Sequence, residues 1–397
     1  MSRSTKGLYI FICAMLTLSL FLTGCDASAT KNTVKIAFIG PFTGGNAAMG
    51  LGGRNSFKLA IDELNAVTTN KYKYEVVNID DECKPDVGVQ AALKAGSDPA
   101  VIAAASHYCS MVAVSTADTF HQQGLPSMVW GAVLPSIVYG NDYIEITRVN
   151  GTQIQQNQVN AQLIWDLGFR KVSIIHDTSD YGRGHSEYFT ASWKKLGGTI
   201  LSTQGVTTDQ QDFTVELTKV KAEKPELIYF GGLTPLGIAL RTAMVKLGVE
   251  AQFDGTSGIK NQSFNEALGA NAEGTLAFVE GAPTENLPGG KKFIEAFNKA
   301  GFKEPPEAYG AFAYVAGQLL VSAIEKVGPD RAKVAQELAK TKDIDTIIGK
   351  VTFDEAGQNI VPLITAYVSQ DGQWVSWDTS EYKSGKRKLP GLKYIGK

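Results

Sequence analysis

The sequence predicts an α/β protein made of two doubly wound parallel-sheet lobes of roughly equal size. From Val34 onward, short β-type runs alternate with amphipathic helical stretches, a pattern typical of doubly wound parallel sheets. The alternation forms two successive series, the second of which begins near Gly151. The chain has 397 residues, of which 44% are hydrophobic, so it can bury two cores and is not of the disordered class.

The predicted strands follow one another in chain order. In the first series they are 34–40, 74–79, 101–105, 127–130 and 143–149. In the second series they are 171–176, 199–204, 227–231, 252–254 and 274–280. A long apolar helix is predicted over 306–327, and the runs 349–353 and 361–368 close the chain.

The charge balance argues against a nucleic-acid-binding protein. Lys and Arg total 38 against 40 Asp and Glu, which gives a formal net charge of −2. Nucleic-acid binding needs clustered excess positive charge, and this composition has none in excess.

Residues 1–25 have the features of an export signal. Arg3 and Lys6 precede an apolar run over 8–22, and small residues lead to Cys25. The run is shorter than the roughly 20 residues of a spanning helix. An uncleaved N-terminal anchor is the alternative.

The end of this segment resembles a bacterial lipobox, in the letters LTGC that finish at Cys25. The resemblance implies that Cys25 is lipidated and holds the exported protein on the outer face of the cytoplasmic membrane. Asp26 resembles the residue that retains lipoproteins at the inner membrane of Gram-negative bacteria, where the protein would be periplasmic. Residues 26–33 are then a polar tether.

The remaining cysteines predict a disulfide. The chain has four cysteines, of which Cys13 leaves with the signal and Cys25 is lipidated. Cys83 and Cys109 are left as a pair in an oxidising compartment. Closing this loop would stabilise the fold by roughly 3–4 kcal/mol. Two buried free thiols are the alternative.

Catalytic signatures are missing from the sequence. Gly40, Gly44 and Gly45 are not followed by the Gly-Lys-Ser/Thr of a phosphate loop, and no His-Glu-x-x-His or zinc-type cysteine spacing occurs. The stretch 255–258 lacks the spacing of a nucleophile elbow. A triad assembled from distant residues stays open, but the motifs do not favour an enzyme.

The ordered motifs resemble the type I periplasmic binding proteins, especially the Leu/Ile/Val-binding branch of ABC importers. The matching stretches are Val34–Asn65, Asp80–Cys83, His107–Ser110, His176–Gly184, Asp212–Thr214 and Phe353–Gly357. The resemblance implies two lobes joined by three crossovers, a ligand enclosed between them, and delivery of that ligand to membrane permease subunits. It implies no cofactor and no metal.

The resemblance also sets the expected division of the chain. Lobe 1 comprises 34–148 and a returning segment over 278–355. Lobe 2 comprises 149–277 and the closing strands and tail over 356–397.

Ligands of open parallel sheets bind beyond the carboxyl ends of the strands, where helix N-termini offer free N–H groups. Ser110 lies at such a place and can bind an anionic group, although it could also be a plain helix cap. The turn Gly131, Ala132 and Val133 matches the family's second backbone contact, with an ordinary strand end as the alternative. Tyr181 matches the aromatic residue that reaches the ligand from lobe 2.

Six further candidates come from position in the family. His107 and Tyr108 flank the disulfide at the cleft mouth, and the pocket-lining candidates are Met49, Trp130, Leu233 and Tyr309. For each of these residues, packing in the core is the alternative.

The sequence departs from its family where an amino-acid ligand's ammonium would bind. The acidic side chain and the threonine expected there are replaced by Ser257 and Val133, and an expected aromatic is Leu233. Burying an ammonium without its partner costs about 2–5 kcal/mol. The sequence thus predicts a preference for a carboxylate without an α-ammonium, unless Asp254 takes over the missing charge.

Two functions of other classes remain as alternatives. A sensor that binds a metabolite and docks on a receptor would have the same lobes. A secreted hydrolase would need a catalytic group that the sequence does not offer.

Overall fold

The strands of lobe 1 form a five-stranded parallel sheet. The computed structural model describes residues 31–360 and 363–396, so the predicted signal and Cys25 lie outside the described residues. The strands are β1 Thr33–Gly40, β2 Lys73–Asp80, β3 Val101–Ser106, β4 Ser127–Val129 and β5 Ile146–Arg148. Their order is β2-β1-β3-β4-β5. Every residue of β3 is buried, as expected for a strand covered on both faces.

Helices cover both faces of this sheet. They are α1 Ala47–Ala66, α2 Pro85–Ser97, α3 Ser110–Gln122 and α4 Ser136–Tyr139, and three more from the returning segment: α10 Gly290–Ala300, α11 Gly310–Val327 and α12 Arg331–Leu338. Helix α11 is apolar along most of its length and packs along α1. A Cβ on Gly317 would lie only 3.1 Å from that of Ala60, so glycine permits this close approach.

The sheet of lobe 2 has seven strands and is mixed. Its strands are β6 Lys171–Asp177, β7 Thr199–Val206, β8 Leu227–Gly231, β9 Gln252–Gly255, β10 Leu276–Glu280, β13 Ile364–Gln370 and β14 Gln373–Ser376. Their order is β14-β13-β10-β9-β8-β6-β7. The covering helices are α5 Gln153–Asp166, α6 Asp180–Lys195, α7 Thr214–Glu223, α8 Thr234–Lys246 and α9 Gln262–Leu268.

The predicted α/β architecture is confirmed, but the lobe 2 sheet is not parallel throughout. Strand β13 pairs antiparallel with β10 and with β14. The two-residue turn between β13 and β14 is Asp371 and Gly372, both with positive φ, which is the conformation of a tight antiparallel hairpin. Strand β10 runs out of lobe 2 toward lobe 1, whereas β13 begins where the chain returns from lobe 1. The two strands therefore run in opposite directions.

The chain passes between the lobes three times: after β5, after β10 and before β13. The first and third passages lie side by side, because Arg148 and Gln358 form a parallel bridge and hydrogen-bond through their side chains. A small hairpin of β11 Ile344–Thr346 and β12 Gly349–Val351 precedes the third passage. In the described part of the chain, no helix has the length and apolar character needed to cross a membrane.

Candidate ligand-binding cleft

The carboxyl ends of the strands of both sheets lead to one set of buried side chains, called here the cleft cluster. It contains Tyr108, Ser110, Trp130, Val133, Tyr181, Ser257, Glu280 and Tyr309. Its apolar and aromatic members share one hydrophobic core, and its other members hydrogen-bond to them or lie within reach. Such strand ends are where open α/β sheets bind ligands.

Ser110 organises the turn that follows β4. It is the first residue of α3, and the helix N-cap is Cys109. The Ser110 Oγ accepts hydrogen bonds from the backbone N–H of Val133 at 3.1 Å and of Leu134 at 3.3 Å. The hydroxyl therefore holds the turn in place rather than capping α3.

The turn at 131–133 is held tightly by lobe 1. The backbone N–H of Ala132 donates to the carbonyl of His107, and the Ala132 carbonyl accepts from Arg148 and Asn150. A Cβ on Gly131 would lie 3.2 Å from the Cα of Tyr108, so glycine allows the two loops to approach. The predicted residues of this turn and Ser110 are thus brought together.

Tyr181 connects the two lobes. It lies in the first turn of α6 in lobe 2, yet its ring packs in the hydrophobic core of lobe 1 with Val133. Its hydroxyl lies 2.8 Å from the Thr256 Oγ1 and 3.5 Å from the Ser257 Oγ, and it accepts from the backbone N–H of Gly258 at 2.9 Å. The lobes therefore touch at the predicted aromatic residue.

Five of the predicted aromatic and apolar candidates surround this contact. The Trp130 ring stacks at 6.1 Å on Tyr108, which meets Tyr309 edge-on at 5.9 Å. Met49 lies in the same core, and Leu233 packs against it. The Tyr108 hydroxyl is buried and has no hydrogen-bond partner among the described residues.

His107 lies away from the cleft cluster. Its ring is buried inside lobe 1, where the Nδ1 is 2.8 Å from the Asp81 carboxylate and the ring is 5.9 Å from Phe120. The neighbouring disulfide between Cys83 and Cys109 is formed as predicted. The side chain of His107 therefore supports the loop that carries Tyr108 and Ser110.

Asp254 is also placed inside a lobe. It pairs in register with Tyr229, whose hydroxyl donates to Asn157 on α5, so both side chains emerge on the sheet face covered by that helix. Burial raises the pKa of Asp254 well above its ordinary value, an effect that Asn160 on α5 partly offsets. Its side chain faces that helix, whereas Ser257 lies at the open strand end.

Glu280 is a cleft residue that the sequence analysis missed. It ends β10 and is only 2% exposed. Its carboxylate accepts hydrogen bonds from the Tyr309 hydroxyl at 2.8 Å and from the Gln156 Nε2 at 3.3 Å. Burial raises the pKa of Glu280 to about 7, although the Tyr309 hydrogen bond acts in the opposite direction. The signal in the sequence was a single acidic residue at the end of an apolar strand.

Comparison with known proteins identifies relatives over most of the chain. A protein from Pseudomonas aeruginosa described as an amino acid binding protein is 29% identical over 82% of this chain and 87% of its own length. The Leu/Ile/Val-binding protein homolog 3 of Brucella melitensis is 30% identical over 88% of this chain and 95% of its own. The crystal structure of the leucine-binding protein LivK from Thermotoga maritima has a TM-score of 0.80 at 26% identity, covering 86% of this chain and 97% of that one.

The sequence profile described as periplasmic binding protein matches residues 33–373. The resemblance in the sequence is thereby confirmed, and with it the expectation of a solute-binding protein rather than an enzyme. The chain belongs to the periplasmic binding protein family, in the branch of the Leu/Ile/Val-binding proteins.

Proposed function

We propose that this chain is the extracytoplasmic solute-binding lipoprotein of an ABC importer of the branched-chain amino-acid type. It captures a small carboxylate-bearing ligand between its two lobes and passes it to the permease subunits. The observation that carries the proposal is the convergence of Ser110, the turn at 131–133 and Tyr181 from opposite lobes. The relatives described as Leu/Ile/Val-binding and leucine-binding support the same class of solute.

The anionic end of the ligand is assigned to Ser110. A carboxylate placed there would meet the Ser110 hydroxyl, the backbone N–H groups of the first turn of α3 and the positive end of the α3 dipole. The N–H of Val133, now bonded to the Ser110 Oγ, is close enough to join this set. Oriented N–H and O–H donors of this kind are typical of carboxylate recognition.

The test begins with any ligand that co-purifies with the protein. Native mass spectrometry of the purified protein, followed by extraction and identification, gives a ligand for calorimetry. Ser110→Ala should weaken its binding about 10- to 100-fold, since a hydrogen bond to a charged group contributes about 1.5–3 kcal/mol. Ser115→Ala is the matched control, because Ser115 lies one turn along the same helix and is exposed. Equal affinities of the two variants would contradict the assignment.

Import is tested separately from binding. Deletion of the gene should abolish high-affinity uptake of the identified ligand, and the chain with Ser110→Ala should restore uptake only at higher ligand concentration. Unchanged uptake in the deletion strain would contradict the importer role and favour a sensor. Membrane anchoring through Cys25 is part of the proposal and is tested by the cysteine variant described in the Discussion.

A further inference from the structure

Glu280 is a buried carboxylate without a cationic partner. It is 2% exposed, and no ion pair of the described residues includes it. Its two side-chain hydrogen bonds come from neutral donors, Tyr309 and Gln156. A buried carboxylate is costly unless it is paired with a cation or takes up a proton. Glu280 therefore has no cation in direct contact, and the charge of the more distant Arg148 lowers its pKa less than burial raises it.

Glu280 also lies next to Ser257. Strands β9 and β10 are parallel neighbours, with Asp254 level with Leu276. Ser257 follows the end of β9 by two residues, and Glu280 is the last residue of β10, so both lie where these neighbouring strands end. The hydroxyl of Tyr309 donates to Glu280 at 2.8 Å, and Ser257 lies close enough to influence the pKa of the same hydroxyl. The acid thus stands one strand across from the serine, on the same side of the cleft.

Aromatic side chains from both lobes surround this carboxylate. Burial raises the pKa of the Tyr108 and Tyr181 hydroxyls, and the negative charge of nearby Glu280 raises both further. The buried Tyr108 hydroxyl has no partner among the described residues. Aromatic rings with a single carboxylate form a favourable environment for a small organic cation.

We propose that Glu280 is the specificity-determining residue of the cleft and receives the ammonium group of a zwitterionic ligand. The inference rests on the proposed function, because the ligand's carboxylate is assigned to Ser110. The ligand class is then an α-amino acid, and the predicted preference for a carboxylate without an ammonium is replaced. Glu280 supplies from β10 the charge that Ser257 lacks at the end of β9.

None of the groups that face Glu280 changes its protonation state near neutral pH, so Glu280 is the group of the cluster that titrates there. The facing groups are Tyr309 before α11, Gln156 on α5, Arg148 at the end of β5, Tyr108 before α3 and Tyr181 on α6. The three tyrosines have pKa values raised by burial and stay neutral. Burial lowers the pKa of Arg148 only to about 10, so it stays charged.

Ligand charge should therefore be visible as proton exchange. A bound ammonium favours the ionised form of Glu280, so binding near pH 7 releases a proton. A bound acid without an ammonium brings only negative charge, so binding takes up a proton. The ammonium of a free amino acid stays protonated in this range and adds no proton of its own.

The experiment compares two matched ligand pairs by titration calorimetry. They are leucine with 4-methyl-2-oxopentanoate and phenylalanine with phenylpyruvate, measured at pH 7 in buffers of different ionisation enthalpy. At least one amino acid should bind more tightly than its oxo acid and release protons. Glu280→Gln should weaken the binding of that amino acid about 30-fold or more and abolish the proton release. The affinity for the oxo acid should change less than about fivefold.

Glu226→Gln is the matched control. Glu226 is also 2% exposed, but it lies before β8, where its carboxylate accepts backbone N–H groups of Arg170, Lys171 and Gly396. Glu226→Gln should bind the amino acid and the oxo acid of each pair with the same affinities as the wild type. If Glu280→Gln does not fold, proton release by the wild type still decides the question, because it needs no variant.

The possible failures are distinguishable. Tighter binding of an oxo acid, or an equal effect of Glu280→Gln on both members of a pair, would overturn the role of Glu280 and leave the proposed function intact. A co-purified ligand without a basic nitrogen would do the same. If neither pair binds and native mass spectrometry finds the cleft empty, the proposed function fails and the inference fails with it.

Discussion

Replacing Glu280 by glutamine should stabilise the ligand-free protein at alkaline pH. The pKa of Glu280 is raised from 4.5 to about 7 because its carboxylate is buried. In the unfolded chain the group ionises near its ordinary pKa, so between these two values the folded state holds a proton that the unfolded state has lost. The stability associated with the protonated acid is present below pH 4.5 and is lost as the pH rises to about 7.

The size of the effect follows from the shift. About 2.5 pKa units correspond to roughly 3 kcal/mol of unfolding free energy. Part of this loss has already occurred at pH 5, so the wild type should lose about 2–3 kcal/mol relative to Glu280→Gln between pH 5 and pH 8. Glutamine removes the charge and keeps one oxygen to accept from Tyr309, while the oxygen that accepts from Gln156 becomes an NH₂ group at both pH values.

The assay is urea unfolding of both proteins at pH 5 and pH 8, after the ligand has been removed by unfolding with the disulfide intact. Other acids whose pKa values are raised by desolvation, such as Asp254 and Glu307, are common to both proteins, and their contributions cancel in the comparison. The quantity to compare is the difference in unfolding free energy between Glu280→Gln and the wild type. If this difference is not larger at pH 8 than at pH 5, the reasoning is refuted. Glu280 would then be hydrated in the ligand-free protein.

Three further outcomes are expected. Replacing Cys83 and Cys109 together by alanine should lower the unfolding free energy by about 3–4 kcal/mol in denaturant titrations, since the bridge closes a loop with a sequence separation of 26; a loss below 1 kcal/mol would contradict the chain-entropy estimate. Cys25→Ala should move the protein from the membrane fraction to the soluble fraction of lysed cells, and a soluble wild type would defeat the lipid anchor. Saturating ligand should reduce the radius of gyration in solution scattering, because the lobes close about their crossovers, whereas an unchanged profile would argue against a closing cleft.

Local sequence patterns were sufficient for most of the strands. The apolar runs predicted at 171–176 and 227–231 are observed as Lys171–Asp177 and Leu227–Gly231. Hydrophobic runs bounded by turn residues are a local property, so they identify a strand without knowledge of its neighbours. The antiparallel edge of lobe 2 was missed, because pairing direction depends on how β13 re-enters the sheet and on the tight turn at Asp371 and Gly372.

The cleft could be predicted only in part. Ser110 was found because it begins the helix that follows a strand end, and the turn at 131–133 because it matches the family's second backbone contact. His107 was a candidate because the resemblance places it beside the disulfide at the cleft mouth, but its ring points into lobe 1 toward Asp81. Adjacent residues leave a loop in different directions, and only packing decides which side chain reaches the cleft.

By itself, the sequence determined the α/β class, the family, the disulfide and the strand ends from which a site could be built. These depend on composition, local periodicity and ordered motifs. The tertiary structure alone decided the charge of the cleft. It turned Asp254 toward α5 and brought Glu280 beside Tyr309, a residue from a distant part of the chain. Neighbouring parallel strands bring together residues that are far apart in sequence, so an acid missing at one strand end can be supplied by the next.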